Sequence, residues 1–299
     1  MKSTGKTVVS GVPRLLFLAA NYLLFTALVL MCIYPVWFIL ISSLSGSSGT
    51  SGVLLPRGFS FQNYENVVKI KGVFPALGVS VMRTIVGTVC TVVTSMFLGY
   101  LFTKKVMPFR TILYRGLVVT MYISGGLIPT YLVIRSYGLL NNFWVYILPG
   151  MASAYYIILI KTFVEQLPVS VEESAMLDGA GTLTIFFQII VPMSMPIVAT
   201  IAIFSGVGQW NSWFDNHIYA FQNKNLITLQ YLLYNYLKEA ENLIRQMMES
   251  STDIDISKLL TPKGVRMTIT MVTITPVLFI YPFLQRYFVK GIVIGAVKG

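Results

Sequence analysis

The sequence predicts an all-α integral membrane protein with six transmembrane helices. Of 299 residues, 55% are hydrophobic and only 11% are charged, against roughly 25% charged in ordinary soluble domains. Mean hydropathy is +0.73. The apolar residues also gather into long runs, and a spanning helix needs about 20 of them in a row. Barrel strands would instead show roughly ten-residue alternating segments.

Taken in order, the runs are Leu15–Leu44, Leu77–Thr103, Ile112–Ile134, Phe143–Phe163, Ile190–Trp213 and Met267–Phe288. The first is too long and too late for a cleaved signal peptide, and no small-residue cleavage site follows it. Orientation follows from lysine and arginine in the tails and short loops. Lys2, Lys6 and Arg14 precede the first run, Lys104, Lys105 and Arg110 follow the second, and Lys290 and Lys298 lie at or beyond the end of the sixth. The one short loop on the opposite side holds only Arg135. The long loops, about 45–76 and 214–266, are set aside because long segments cross largely regardless of charge. Both termini (tails 1–14 and 289–299) and the loop at about 168–192 are therefore expected in the cytoplasm, with a five-span core over 77–288.

The net charge of +11 has two readings, anchoring to anionic lipid or attraction of an acidic substrate. Chemistry inside the spans is excluded more firmly. All 11 acidic residues fall outside the centres of the runs, whereas an ion-driven transporter keeps titratable groups at mid-membrane. His217 follows the fifth run as an interfacial loop residue, and Cys32 and Cys90 lie within spans with no metal spacing around them. Arg83 is the one basic residue well inside a run, near the outer end of the second helix, placed to snorkel or to line a wet path. An intramembrane enzyme would need a nucleophile–base pair or a metal cluster. The chain carries no cofactor or nucleotide motif, and nothing in it suggests nucleic acid as a partner. Energy for uphill transport must come from another subunit.

Charge is concentrated in one stretch, "VEESAMLDGAGTLTIFFQIIVPMSMP" (171–196). Pro168 breaks the extension of the preceding span. Ser170 is placed as an N-cap, with Glu173 completing a capping box. Glu172 and Glu173 suit the positive end of the helix dipole. The helix is expected to end near Asp178, with Gly179 and Gly181 permitting a tight reversal. A second helix then runs until Pro192 bends it into the fifth span. Glu173 and Leu177 share a helix face beside Glu172 and Met176, an apolar knob rimmed with acid that suits a partner's groove.

Glu173-Ser174-Ala175, three residues, Gly179, nine residues and Ile189-Ile190-Val191-Pro192 resemble the EAA loop of ATP-binding-cassette (ABC) importer permeases. The family pattern is E-A-A, three residues, G, nine residues, I-x-L-P. Every spacing is kept, with Ser174 and Val191 as small departures, and Asp178-Gly179-Ala180 matches the usual D-G-A. "PRGFSFQNYENV" (56–67) and "SGGLIPTYLVIRSYGLLNNFWVYILPG" (124–150) are similar to the carbohydrate-uptake branch. "YPFLQRYFVKGIVIGAVKG" (281–299) resembles permeases for complex oligosaccharides of pectic and alginate type.

The resemblance implies a type I ABC importer permease fold. The loop would be a coupling helix docked on a cytoplasmic ATPase through Glu173, Ala175, Met176, Leu177 and Ala180, with Gly179 setting the turn. Glu172 and Asp178 are either part of that contact or simply solvated. It further implies a second permease subunit, two ATPase subunits that bind ATP and Mg, an extracytoplasmic solute-binding protein, an oligosaccharide substrate and surrounding membrane lipid. The chain itself would bind no cofactor. The fifth span ends with Trp210, Asn211, Trp213 and Asp215. Their aromatic faces and hydrogen-bonding groups suit sugar rings, although tryptophan is equally at home in an interfacial belt. The alternatives are a permease for another small solute, or a membrane scaffold or sensor for an ATPase.

Overall fold

The computed structural model describes residues 11–45, 55, 58–250 and 263–296, and every regular element among them is helical. In chain order these are α1 (Gly11–Ser43), α2 (Gln62–Lys69), α3 (Val73–Leu101), α4 (Arg110–Val119) and α5 (Leu127–Ser136). They continue with α6 (Ala154–Val164), α7 (Val169–Leu177), α8 (Thr182–Ile185), α9 (Val191–Met193) and α10 (Met195–Asn211). Then come α11 (Phe214–Tyr219), α12 (Leu229–Ser250) and α13 (Lys263–Ala296), with a 3₁₀ turn over Phe143–Tyr146 and a π turn over Phe186–Ile190. Lys2, Lys6 and Lys298, which carry part of the expected orientation, lie outside the described residues, as do Pro56, Arg57 and residues 251–262 of the long loops.

The chain divides into two compact units. One joins residues 1–69 to residues 255–271. In it α1 exposes apolar side chains along most of its length and is buried only at its end, at Ile41, Ser42 and Ser43. The buried Asn63 amide there donates to the carbonyls of Ser43 (3.1 Å) and Ser45 (2.8 Å). Gly264 approaches so closely that a Cβ would lie 2.6 Å from that amide.

The other unit, residues 70–254 and 272–299, is built around α3. Ala76, Ser80, Arg83, Gly87, Thr91, Ser95 and Gly99 recur every three or four residues and form its buried stripe. Small residues on such a stripe let helix backbones approach closely. At Gly99 the approach is so tight that a Cβ would sit 2.6 Å from Ile160 Cγ2 and 3.1 Å from the Ile157 carbonyl. Met96 and Tyr100 of α3, Ile160 and Val164 of α6, Ile185, Phe186 and Ile190, and Ile201 of α10 make one apolar core. Ile134, Val145, Tyr146, Ile147 and Ala220 make a second.

The apolar runs are not six uniform rods. Among the described residues, α1 and α3 are the single helices long and apolar enough to cross a membrane. The third expected span is divided into α4 and α5 by residues 120–126, where Gly126 takes φ 80° and Pro129 follows. The fourth starts as a 3₁₀ turn and becomes helical only at Ala154, after Pro149 and Gly150. The fifth is bent by 78° between Thr182–Met193 and Met195–Asn211. Pro192 was expected to make this bend, but the break falls at Ser194 (φ −91°, ψ 6°). Pro196 has no N–H to give the carbonyl of Pro192, and its ring crowds that carbonyl. Pro192 instead follows the π turn, in which the Val191 N–H reaches back to the Phe186 carbonyl.

Candidate functional site

The sequence-predicted loop folds as a crosswise knuckle. α6 and α7 are bent by 77°, so α7 runs nearly perpendicular to the helix before it. Pro168 itself takes the N-cap position (φ −60°, ψ 121°), with no side-chain cap. The expected Ser170–Glu173 capping box is therefore absent. A proline costs nothing where the N–H would be unpaired anyway, so the helix starts earlier and Ser170 falls inside its first turn. The other end matches expectation. Gly179 adopts φ 82°, its N–H bonds the Met176 carbonyl (3.1 Å), and the Ala180 N–H bonds the Ala175 carbonyl (3.0 Å). This is a Schellman closure, with glycine in the left-handed conformation that it alone takes freely.

The helix has two distinct edges. Glu173, Met176, Leu177 and Asp178 are exposed, Leu177 at 89%. Such exposure of a leucine and a methionine side by side leaves an apolar surface without a partner among the described residues. Ala175 and Ala180 pack instead against the core of Met96, Tyr100, Ile160, Val164, Ile185 and Phe186. Glu172 lies on the same inner edge. It forms an ion pair with Lys104, beyond the end of α3, and accepts a hydrogen bond from the Tyr100 hydroxyl at 3.3 Å. The Lys104 ammonium also sits 4.2 Å from the centroid of the Tyr100 ring.

Roughly 25 Å along α3, Arg83 organises the opposite end of the unit. It is 2% exposed and neither snorkels nor stands free. Its Nε donates to Gln209 Oε1 (2.8 Å), and one terminal nitrogen donates to Asp215 Oδ1 (3.0 Å) and the Ser212 carbonyl (3.3 Å). The other terminal nitrogen pairs with Asp215 Oδ2. The Tyr146 ring lies 4.6 Å from the guanidinium carbon. Gly87, one turn along α3, leaves room for the Gln209 side chain, which a Cβ would meet at 2.7 Å. These groups border a cavity of about 340 Å³ that also presents Thr91, Thr130, Ser153, Tyr156 and Ser205. Burial, and then the charge of Asp215, pushes the Tyr219 phenol on its rim above the ordinary range. Tyr219 therefore stays neutral, able to donate as well as accept.

No protein-family model matches the chain. Among curated proteins it is 34% identical over 247 residues to the "Polygalacturonan/rhamnogalacturonan transport system permease protein YtcP" of Bacillus subtilis, covering 83% of this chain and 85% of that protein. The chain belongs to the permease subunits of ABC importers. Its fold matches a chain from the crystal structure of a bacterial ABC transporter involved in the import of the acidic polysaccharide alginate. The TM-score is 0.78 at 25% identity, covering 96% of this chain and all of that one. A second alginate transporter structure, in complex with an alginate pentasaccharide-bound periplasmic protein, matches at TM-score 0.55 and 12% identity, covering 94% of this chain and 96% of that one. The permease is thus an integral membrane protein and a translocation subunit, not an enzyme. It binds no cofactor of its own, and a separate ATPase hydrolyses ATP.

The four residues expected along the permease's substrate path are not brought together. Trp210 is buried, donates its indole N–H to the Thr273 carbonyl (2.9 Å), and lines an apolar groove with Val81, Ile85, Val207 and Val277. Asn211 is exposed and accepts from Gln230 (2.9 Å). Trp213 stacks on Tyr234, with ring centroids 4.1 Å apart. Only Asp215 borders the polar cavity. Sequence reasoning missed Gln209, Tyr146 and Gly87. The one available signal was the run of small and polar residues on α3 at helical spacing, with Arg83 in it.

Proposed function

We propose that this permease imports oligosaccharides across the bacterial cytoplasmic membrane, six-spanning and with both termini in the cytoplasm. In this reading it pairs with a second, different permease subunit. It receives substrate from an extracytoplasmic binding protein and is driven by two ATPase subunits that hold ATP and Mg. The observation that carries the reading is the two-edged α7, seated on the core through Ala175 and Ala180 while Glu173, Met176 and Leu177 stand exposed. A short helix that offers Met176 and Leu177 in this way suits a groove on a partner. The Glu172–Lys104 pair supports the topology, because it joins the two loops that the lysine and arginine count puts on one side. The domain boundaries follow the same plan, with the coupling loop at about 168–192 and the outer loop at about 214–266.

The substrate class follows from the pectic relative and from the cavity. Hydroxyls from Thr91, Thr130, Ser153 and Ser205 beside Gln209 and Asp215 suit a chain of sugar hydroxyls. Trp213, on the outer aromatic cluster, would meet the sugar before it reaches the cavity. The strongly basic chain favours uronate-containing oligosaccharides over neutral ones. Proteoliposomes holding the full importer test this directly. Oligogalacturonate uptake that depends on ATP is the expected result, uptake of neutral oligosaccharides alone would remove the acidic preference, and ATP turnover without any uptake would leave a scaffold. Leu177→Asp is expected to abolish co-purification of the ATPase without lowering the permease's abundance in the membrane.

A further inference from the structure

Two adjacent glutamates on α7 point in different directions, and the inner one is turned toward this chain's own residues. Glu172 and Lys104 are each about four-fifths buried, at 19% and 22% exposure. Their surroundings are closed by Tyr100, itself 1% exposed, whose ring lies tilted 5.1 Å from that of Phe186 and whose hydroxyl donates to the same carboxylate oxygen that Lys104 binds. The other charges nearby do not compete. Glu173, Asp178 and Lys105 are exposed, Arg110 donates to the Thr103 carbonyl (3.2 Å), and Lys161 is taken by Glu165 at the C-cap of α6 (2.8 Å). The apolar seat of α7 is small, Ala175 on the helix and Ala180 just past its closing turn, and dispersion across such a contact resists sliding and lifting only weakly. The ion pair and the Tyr100 hydrogen bond are directional; Tyr100 lies in the last turn of α3, the helix against which α6 and α10 both pack, and Lys104 lies three residues beyond its end.

We infer that Glu172, Lys104 and Tyr100 form an internal strut that transmits displacement of the docking helix to α3, so that Glu172 positions the coupling loop from inside the permease and does not touch the ATPase. The inference rests on α7 being the docking helix. Loss of the strut leaves α7 docked but mechanically idle. ATP is then hydrolysed with little movement of solute.

The experiment uses the complete importer in proteoliposomes with loaded binding protein and, in a parallel series, a cysteine at Leu177 to report cross-linking to the ATPase. The variants are Glu172→Lys, Lys104→Glu, the two together, and the milder Glu172→Gln and Tyr100→Phe. Each single reversal should keep the Leu177 cross-link and lower solute imported per ATP by about tenfold, the ratio that one lost charge-assisted contact sets. The double reversal should return to within about threefold of the parent, because the pair is restored with its ends exchanged. Glu172→Gln, which keeps shape without charge, should fall between them. The strut is overturned if single reversals couple normally, if the double reversal stays uncoupled while cross-linking persists, or if Glu172→Gln alone loses the cross-link. Absence of the cross-link in the parent complex is a different failure: the docking reading falls, and the strut with it.

Discussion

Replacing Arg83 with methionine tests what holds the N-terminal half of α3 in place. The side chain is 3% exposed and Asp215 is 20% exposed. Without the guanidinium, the carboxylate keeps only the Ser212 hydroxyl (3.0 Å) and the Asn216 N–H (2.9 Å), and Gln209 Oε1 loses its donor. Breaking a buried pair by removing one member costs about 3–5 kcal/mol; the fifth of Asp215 still in contact with solvent puts this case at the lower end, about 3 kcal/mol. Asp215→Asn preserves shape and loses charge, for about 2 kcal/mol. The double variant removes both charges and should cost only about 2 kcal/mol, since pairs replaced together are close to neutral. The implied coupling is about 3 kcal/mol, at the top of the range for residues in contact. An ordinary interhelical polar contact in a membrane averages about 0.6 kcal/mol. Denaturant titration in mixed micelles, followed by tryptophan fluorescence, separates the two. A coupling below about 1 kcal/mol would show that the cluster is incidental polar packing and not a lock.

Three further outcomes follow from close approaches and backbone geometry. Gly99→Ala places a methyl 2.6 Å from Ile160 Cγ2 and 2.8 Å from its Cβ, so α3 and α6 must separate. The expected loss is about 2 kcal/mol in the same titration, and adding Ile160→Ala should not recover it, because the Cβ of residue 160 and the Ile157 carbonyl stay in the way and a buried isoleucine is lost. Gly179→Ala meets nothing within 4 Å but must hold φ 82°. It should cost about 1–2 kcal/mol through backbone strain alone and loosen ATPase co-purification. Gly264→Ala drives the Asn63 amide off the Ser43 and Ser45 carbonyls. Trypsin should then cut between α1 and α2 faster than in the parent, while cleavage elsewhere stays unchanged.

Much of the fold was legible because membrane burial is a local property. Any run of apolar residues reads as a span, and α1, α3 and α13 came through as helices. Hydropathy is blind to what interrupts a run. Ser124-Gly125-Gly126 and Pro149-Gly150 stood inside apolar stretches and still lie where helix is interrupted, ahead of α5 and α6, because lost N–H groups and positive φ act on backbone geometry and not on transfer free energy. The capping box failed for a related reason. Its spacing was present at Ser170 and Glu173, but Pro168 supplied an earlier start that needs no side-chain cap.

The site divides along the same line. The turn at Gly179 was legible because a Schellman closure is made by consecutive residues. The distinction between Glu172 and Glu173 was not, since successive side chains on a helix differ by about 100° and only the position of the core decides which one turns inward. Ala175, three residues after Glu172 on the seated edge, is the mark the sequence did carry. Arg83 was visible as an anomaly, but its partner Asp215 lies 132 positions away, where no periodicity can connect them. Both buried pairs thus share one property: one end falls on a chemically conspicuous residue and the other is chosen by packing. A lone basic residue within an apolar run therefore carries a definite expectation. Left unpaired it would cost several kcal/mol, so a carboxylate from another element must reach it, as Asp215 does here.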